Sequence, residues 1–348
     1  MSLLAIDVGK GTQDILVYDP ERPIENSIKL VLPSPTAIIA DKIQRATVDK
    51  RAIFLCCYCM GGGTNVSAIA RHLRAGLSVY ATEEAARTIH DNPERVREMG
   101  IQIVGHPPSG AVEICTSDYM EGELKESFNL FRIPFPEHLA VAVQDHGYSP
   151  HRSNRIFRFE IFVSSLERGD WDLYSLVHDP PLPEMTRMGS IRQQVPEALV
   201  VDTGPAALIG AFSDPVVMEH AKEGLTLVNV GNGHTLCFTL KGREIYGLFE
   251  HHTAALDREH LLKLIRRLQE GTLTNEEIFA EGGHGAAVRR PLDASFIAVT
   301  GPNRRRLLPD AYQVAPFGDM MLTGCFGLLS AWEHFRGPLE LLDRHSHS

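Results

Sequence analysis

LLAIDVGKGTQDILVY, Leu3 to Tyr18, poses the question on which the whole chain turns. An apolar run, Leu3 to Ile6, meets an acid, Asp7. Gly9, Gly11 and Thr12 follow as turn positions, and a second apolar run leaves from Ile15 to Tyr18. The pattern predicts a β-hairpin. Two readings of its centre fit. Asp and Gly make a turn for backbone reasons alone, because glycine accepts positive φ and aspartate bonds to nearby backbone. A phosphate cradle needs the same residues: glycines let N–H groups approach an anion, and an adjacent carboxylate holds a metal ion that offsets its charge.

The 348 residues are 43% hydrophobic and 22% charged, with mean hydropathy −0.10, an ordinary globular composition. The length allows two lobes with ample core. No apolar run is long enough to span a bilayer, and no basic segment precedes an apolar one at the N-terminus, so a cytoplasmic protein without a membrane partner is expected. A formal charge of −10 argues against nucleic acid as a partner. The run Arg304, Arg305, Arg306 reads as a solvated helix start or as a contact for an anionic ligand. The six cysteines, three crowded (Cys56, Cys57, Cys59) and three scattered (Cys115, Cys237, Cys325), do not form a secreted disulfide framework. Cys237 and Cys325 sit in apolar runs and read as small buried hydrophobes.

Short apolar strands fill the first half: KLVLPS, AIFLCCYCM, GIQIVG, AVEICT and LAVAVQD. Between them, TNVSAIARHLRAG has helical spacing at Val66, Ile69, Ala70 and Leu73. TEEAARTIHD opens with Thr82 as N-cap, and NPERVREMG reads as a helix closed by Gly100. From Ser149 to Arg192 the pattern is mixed, with HDPPLPEM as a loop. EALVVDTGPAALIGAF then reads as strand, turn and helix, and LTLVNVGNGHTLCFTLKGREIYGLFE as three strands. DREHLLKLIRRLQEG is an amphipathic helix, and MMLTGCFGLLSAWEHF a C-terminal helix whose Gly324 and Gly327 call for close packing. The tail DRHSHS reads as frayed.

LVNVGNGHTLCF repeats the opening design: a strand ending at Val230, a turn of Gly231, Asn232, Gly233 and His234, and a strand leaving through Thr235. Two such hairpins in different halves point to two related lobes facing one ligand. With three further landmarks, the chain resembles the superfamily of actin, heat-shock chaperone ATPases and sugar kinases. Its first phosphate motif looks like Asp7-Val8-Gly9-Lys10-Gly11-Thr12-Gln13, its first connecting helix like VVDTGPAALIGA (200–211), and its second phosphate motif like Asn229 to Thr235. The adenosine motif looks like IAVTGPN (297–303), with Gly301, Pro302 and Asn303, and the second connecting helix like LTGCFGLLSA (322–331). The resemblance implies an α/β fold of two ribonuclease H-like lobes with mixed sheets and an interlobe nucleotide cleft. Lobe I would span 1–198 and lobe II 199–348, the C-terminal helix returning to lobe I. It implies ATP clamped by the two hairpins and Mg²⁺ at Asp7.

Asp202 has two readings. The resemblance to hexokinase-like sugar kinases implies a base that takes the proton of an attacking substrate hydroxyl. Equally, Asp202 and Pro205 suit the start of the helix that follows. Two departures from the superfamily bear on chemistry: Asn229 stands where many members have Asp, and Pro302 removes one N–H from the adenosine turn. The expected function is ATP-dependent phosphoryl transfer to a small hydroxylated or acidic metabolite, with Asp202 as base and Asp7 at the metal. The alternatives are an ATP-driven switch acting on a protein partner and a degenerate member that binds a ligand without chemistry.

CCYCMGGG admits a metal site through Cys56, Cys57 and Cys59, or cysteines buried in a strand on which Cys57 and Cys59 share a face. Gly61, Gly62 and Gly63, at a helix start, suit an anion or tight packing. Asp145 and His146, with His151, Arg152 and Arg155, follow a strand and read as an acceptor site or a solvated loop. His251, His252 and His284 lack a metal-binding spacing and read as surface residues. DVGKGTQD, MGGGTN, HDNPERV and QDHGYSPHRSNRIFRF resemble a prokaryotic family labelled as pyruvate formate-lyase activating enzymes. The Cys-x-x-x-Cys-x-x-Cys loop of glycyl-radical activases is absent from the sequence, so radical chemistry is not expected.

Overall fold

A computed structural model of the chain describes residues 2–339. The first hairpin is present as read. β1 (Leu3–Val8), β2 (Thr12–Tyr18) and β3 (Ile28–Pro33) form an antiparallel meander. α1 (Pro35–Val48), capped by the Ser34 side chain, leads into a separate parallel sheet of β4 (Ile53–Cys57), β5 (Val79–Ala81), β6 (Ile101–Ile103) and β7 (Val112–Thr116). α2 (Thr64–Arg74) connects β4 to β5. β8 (His138–Val143) returns to the first sheet, α3 (Asn154–Arg168) and α4 (Thr186–Gln194) follow, and β9 (Leu199–Val201) completes it. α5 (Thr203–Ala211) then leads to the second large sheet. That sheet takes β10 (Leu225–Val230), β11 (His234–Lys241) and β12 (Glu244–His252), then, after α6 (Arg258–Gln269), β13 (Gly285–Val288), β14 (Ile297–Thr300) and β15 (Tyr312–Gln313). α7 (Thr323–Arg336) is the last element described; the tail DRHSHS lies outside the described residues.

The two large sheets share one plan. The first runs β3-β2-β1-β8-β9 and the second β12-β11-β10-β14-β15, with β13 added outside β12. In each, an antiparallel meander is extended by two parallel strands on the side of its first strand. The fold is therefore α/β with two lobes of ribonuclease H-like topology, as the resemblance implied. The boundary at 198/199 falls one strand early. Leu199–Val201 pairs in parallel with β8, so the first sheet ends at Val201 and the second begins at Leu225.

Strand periodicity decides which side each residue serves. Leu3 and Ala5 face one core with Ala140, Ala142, Leu199 and Val201; Leu4, Ile6 and Val8 face another with Val141, Val143 and Val200. The first of these cores is common to both lobes, because Leu227, Phe238 and Leu248 of the second sheet enter it too. α5 and α7 lie in this shared core. Their contact is backbone on backbone: a Cβ on Gly210 would run into the Thr323 carbonyl, and one on Gly327 into the Ala206 carbonyl. The close packing expected of Gly324 and Gly327 is thus real, and α7 also packs against β1 and β8 of the first sheet.

Several helices were not legible, α1 and α3 among them. α1 follows a Ser-Pro start inside a segment that reads as strands, and α3 lies within the mixed segment after Ser149. The cysteines also differ from expectation. Cys57 and Cys115 form a disulfide between adjacent strands β4 and β7. Cys57 has φ of 79°, so strand alternation stops there. It is exposed rather than buried, and Cys59 turns separately into the interior. With Cys57 in the disulfide, Cys56 and Cys59 are the free thiols of the cluster. Cys237 and Cys325 are fully buried, as read.

Candidate functional site

A cavity of about 550 Å³ runs between the lobes and the inserted sheet, a size suited to a small ligand. Gly9 and Lys10 border it from the first hairpin, and Gly231, Asn232, Gly233 and His234 from the second. The two turns face each other. A Cβ on Gly11 would stand 3.9 Å from Asn232 Nδ2, and one on Gly233 3.8 Å from Lys10 Cδ. The turn carbonyls are tied back by neighbours. Gly11 O accepts from the Ser34 N–H, Gly233 O from the Thr253 N–H and Gly231 O from Asn303 Nδ2. The Ser34 hydroxyl donates to Lys10 O. The Gly9 and Gly231 N–H groups close their own turns onto Thr12 O and His234 O, so an anion would meet the other N–H groups of the two turns.

Thr12 closes the first turn by accepting the Gly9 N–H. Gln13 is buried and donates to Pro33 O on β3, so it does not border the cavity. Gly301, Pro302 and Asn303 do not border it either. They back the second turn, Asn303 donating its N–H to Val230 O and its amide to Asn232 Oδ1 at 3.2 Å.

Asp7 lies just behind the cavity wall, accepting the Thr203 hydroxyl at 2.6 Å. It sits directly opposite Asp14 in the β1–β2 pairing. Burial pushes the Asp7 carboxyl up to about 6, the Thr203 bond opposing and Asp202 adding to the rise. Burial, then repulsion from Asp7, pushes Asp14 up to about 7. Asp14 Oδ1 is buried without a hydrogen-bond partner. Two opposed carboxylates with an orphaned oxygen are a donor set that suits a hard divalent cation; since neither borders the cavity, they would meet a cation there only through water.

Asp202 is not free. It is the N-cap of α5, accepting the Gly204 N–H at 3.0 Å, and it accepts the Asp145 N–H at 3.2 Å. Both its oxygens are held by Arg158, at 2.6 and 2.9 Å. It is 2% exposed and does not border the cavity. The capping reading of Asp202 describes what it does here, and no lone pair faces a substrate. Arg158 grips a second acid, Glu250, through Nε at 2.9 Å and Nη2 at 3.2 Å. Burial would raise the Glu250 carboxyl; Arg158, with His284 and His234, overcomes it and holds the group well below its usual range. Arg158 was missed. Its signal is position: it shares the buried stripe of α3 with Phe162 and Ser165, where an unpaired charge is untenable.

The remaining border comes from the inserted sheet and the segment after β8. In the order β6-β5-β4-β7, β4 is flanked on opposite sides by β5 and β7, and crevices at such switch points take ligands beyond the strands' C-terminal ends. Gly61, Gly62 and Gly63 follow β4 and border the cavity, with Arg87 to Asp91 after β5. Gly61 N–H is already committed to Asp118, with 3.1 Å to Oδ2. Asp118 also pairs with Arg187, whose Nη1 donates to Gln144 O at 2.6 Å. Asp145 and His146 border the cavity, and Asp145 takes the Gly147 and Met188 N–H groups, one on each oxygen.

Four histidines gather beside the second hairpin. The His234 ring lies 4.8 Å from His252, 4.8 Å from His284 and 5.9 Å from His146, centroid to centroid. His251 and His284 are fully buried and His252 half-buried, which corrects their reading as surface residues. Linear spacing hid them: His234 and His252 meet by cross-strand register, and His284 arrives from a loop. Burial, aided by Arg158, holds His146 well below its usual range; burial takes His234 down to about 4 and His284 to about 3.

With this geometry stand the comparisons. Residues 60–306 match the model of the family described as "Putative pyruvate format-lyase activating enzyme (DUF1786)". No curated protein matches the chain. Among solved structures it is similar to a protein of actin-like ATPase fold from Bacteroides thetaiotaomicron, at 7% identity and TM-score 0.39, over 93% of this chain and 95% of that one. It is also similar to the inorganic polyphosphate/ATP-glucomannokinase of Arthrobacter sp. strain KM, at 12% identity and TM-score 0.33, over 95% and 97% of the chains. A third is the ethanolamine utilization protein EutJ of Carboxydothermus hydrogenoformans, at 12% identity and TM-score 0.31, over 94% and 89%. The family match covers more than two-thirds of the sequence, and the chain belongs to that family. Among the described residues no helix is long and apolar enough to cross a membrane.

Proposed function

We propose that this family member binds ATP with Mg²⁺ between its lobes and transfers the terminal phosphoryl group to a small hydroxylated or acidic metabolite. One observation carries the reading: two glycine hairpins of matching design, one from each lobe, face each other across a single cavity. Bound Mg²⁺ would offset charge on the transferred group. The chain's own part is positional. Lys10 would bring an ammonium to the phosphate end, the turn N–H groups not used within the hairpins would meet the phosphates, and Asp7, steadied by Thr203, would hold the metal side through water. The acceptor occupies the end formed by Gly62, Gly63 and Arg87. Proton acceptance falls to Asp145 rather than Asp202. Asp145 borders the cavity and each of its oxygens holds one backbone N–H, which leaves a lone pair within reach of a substrate hydroxyl.

The occupied state of Asp202 favours a second reading, an ATP-dependent switch on a protein partner. Arg158 links α3, the start of α5 and β12 through Asp202 and Glu250, and such a linkage between lobes suits a two-state device. Calorimetry of ATP with and without Mg²⁺, on wild type, Asp7→Ala and Asp145→Asn, separates the readings. Transfer predicts magnesium-dependent binding lost in Asp7→Ala, and acceptor-dependent turnover lost in Asp145→Asn with binding retained. Binding with no acceptor-dependent turnover across a metabolite panel points to the switch. Absence of nucleotide binding overturns both.

A further inference from the structure

We propose that His146, His234 and His284 form a binding site for one divalent transition-metal ion of the zinc type, separate from the Mg²⁺ position at Asp7. One ring nitrogen from each residue lies within 4.8 Å of the others. His284 is the anchor. It is 1% exposed, its Nε2 has no hydrogen-bond partner, and its Nδ1 faces Glu250 Oε2 at 3.5 Å. A buried imidazole nitrogen without a partner costs desolvation free energy; coordination removes that cost. His234 shows the same pattern. Its Nδ1 meets the Gln144 side-chain amide at 2.8 Å, and its Nε2 is buried and unpaired.

The surroundings match those of ligating histidines. Such a histidine typically turns its second nitrogen to a carboxylate or amide, which fixes the ring. Glu250, held by Arg158, stands 3.5 Å from His284 Nδ1, an approach that a small ring shift turns into a hydrogen bond, and Gln144 lies against His234 Nδ1, where its amide must turn its oxygen to the ring for Nε2 to ligate. Three imidazoles with no thiolate favour a borderline ion such as Zn²⁺, Co²⁺ or Ni²⁺ over Mg²⁺. Three protein ligands leave a fourth position for water or a ligand. His146 and His234 border the cavity, so that position opens onto it. Nitrogens bound tetrahedrally at zinc distances stand roughly 3.3 Å apart, so the rings must draw together. His146 follows β8 of the first lobe, while His234 and His284 belong to the second. The ion therefore ties the lobes beside the second hairpin.

The test is titration of metal-stripped full-length protein with Co²⁺, read by its visible absorption, and with Zn²⁺, read by calorimetry. One equivalent is expected to bind with the intense visible bands of a tetrahedral site. His284→Ala and His146→Ala each abolish the saturable step, and Glu250→Gln weakens it by about 10- to 100-fold. Control chains His106→Ala, at an exposed position, and His345→Ala with His347→Ala, in the tail, keep it. His284→Gln, the same length without imidazole, guards against a variant that fails to fold; thermal melting checks each. No saturable binding to wild type, or unchanged binding in His284→Gln, overturns the site. The result is independent of the kinase reading, since no nucleotide is present. Nucleotide binding that persists in metal-stripped protein shows that the two sites stand or fall separately.

Discussion

Asp14 is the residue where sequence, packing and charge conflict most openly. It lies opposite Asp7 between apolar strand residues on either side, it is 8% exposed, and one oxygen has no partner. Asp319 adds a third negative charge nearby. With its carboxyl at about 7 in the folded protein against 3.8 normally, the native state binds more protons than the unfolded one between these values. Its favourable contribution is thus present at low pH and lost as pH rises through about 7. In the absence of divalent cation, Asp14→Asn is expected to stabilise the protein by on the order of 2 kcal/mol near pH 8. The gain should shrink as pH falls towards 5. Urea unfolding of both proteins across this range checks it, and a gain that does not change with pH would place the effect in packing rather than charge.

Among elements, the pairing of α5 and α7 positions the site. Asp202 caps α5, Thr203 in its first turn bonds Asp7, and Gly324 of α7 lies against the Asp7 carboxylate. The helices approach so closely at Gly210 and Gly327 that a methyl group there meets backbone, which cannot give way as a side chain can. Gly327→Ala is expected to destabilise by about 3 kcal/mol or more and to weaken any ligand held at Asp7. Chemical denaturation measures the first effect. A stability within about 0.5 kcal/mol of wild type would contradict the backbone contact.

At the scale of the molecule, three sheets converge on one cavity. Each large sheet contributes a hairpin, and the inserted sheet contributes the loops beyond β4 and β5. A ligand that bridges the lobes must therefore quiet both turns together. Hydrogen exchange with ATP and Mg²⁺ is expected to slow amides at residues 9–12 and 231–234 in parallel, with a smaller effect at 61–63. Protection of one turn alone would mean that the hairpins do not act as a clamp. The α/β class and the paired hairpins were legible because both are local: strand alternation and glycine turns are written in consecutive residues. The Asp202 role was not, because a carboxylate's availability depends on Arg158, 44 residues away in sequence.

The sequence alone determined the positions of the β1–β2 and β10–β11 hairpins, the start of α5 at Asp202 and the glycines of α7. Each rests on a backbone preference or a short-range period, which the chain carries with it wherever it folds. Tertiary structure alone decided the rest. It paired Cys57 with Cys115, turned Gly301 to Asn303 into a brace, closed Arg158 over two acids and gathered histidines from residues 146, 234 and 284. These are contacts between distant segments, and their energies come from burial and charge in a shared interior that exists only after the lobes have packed.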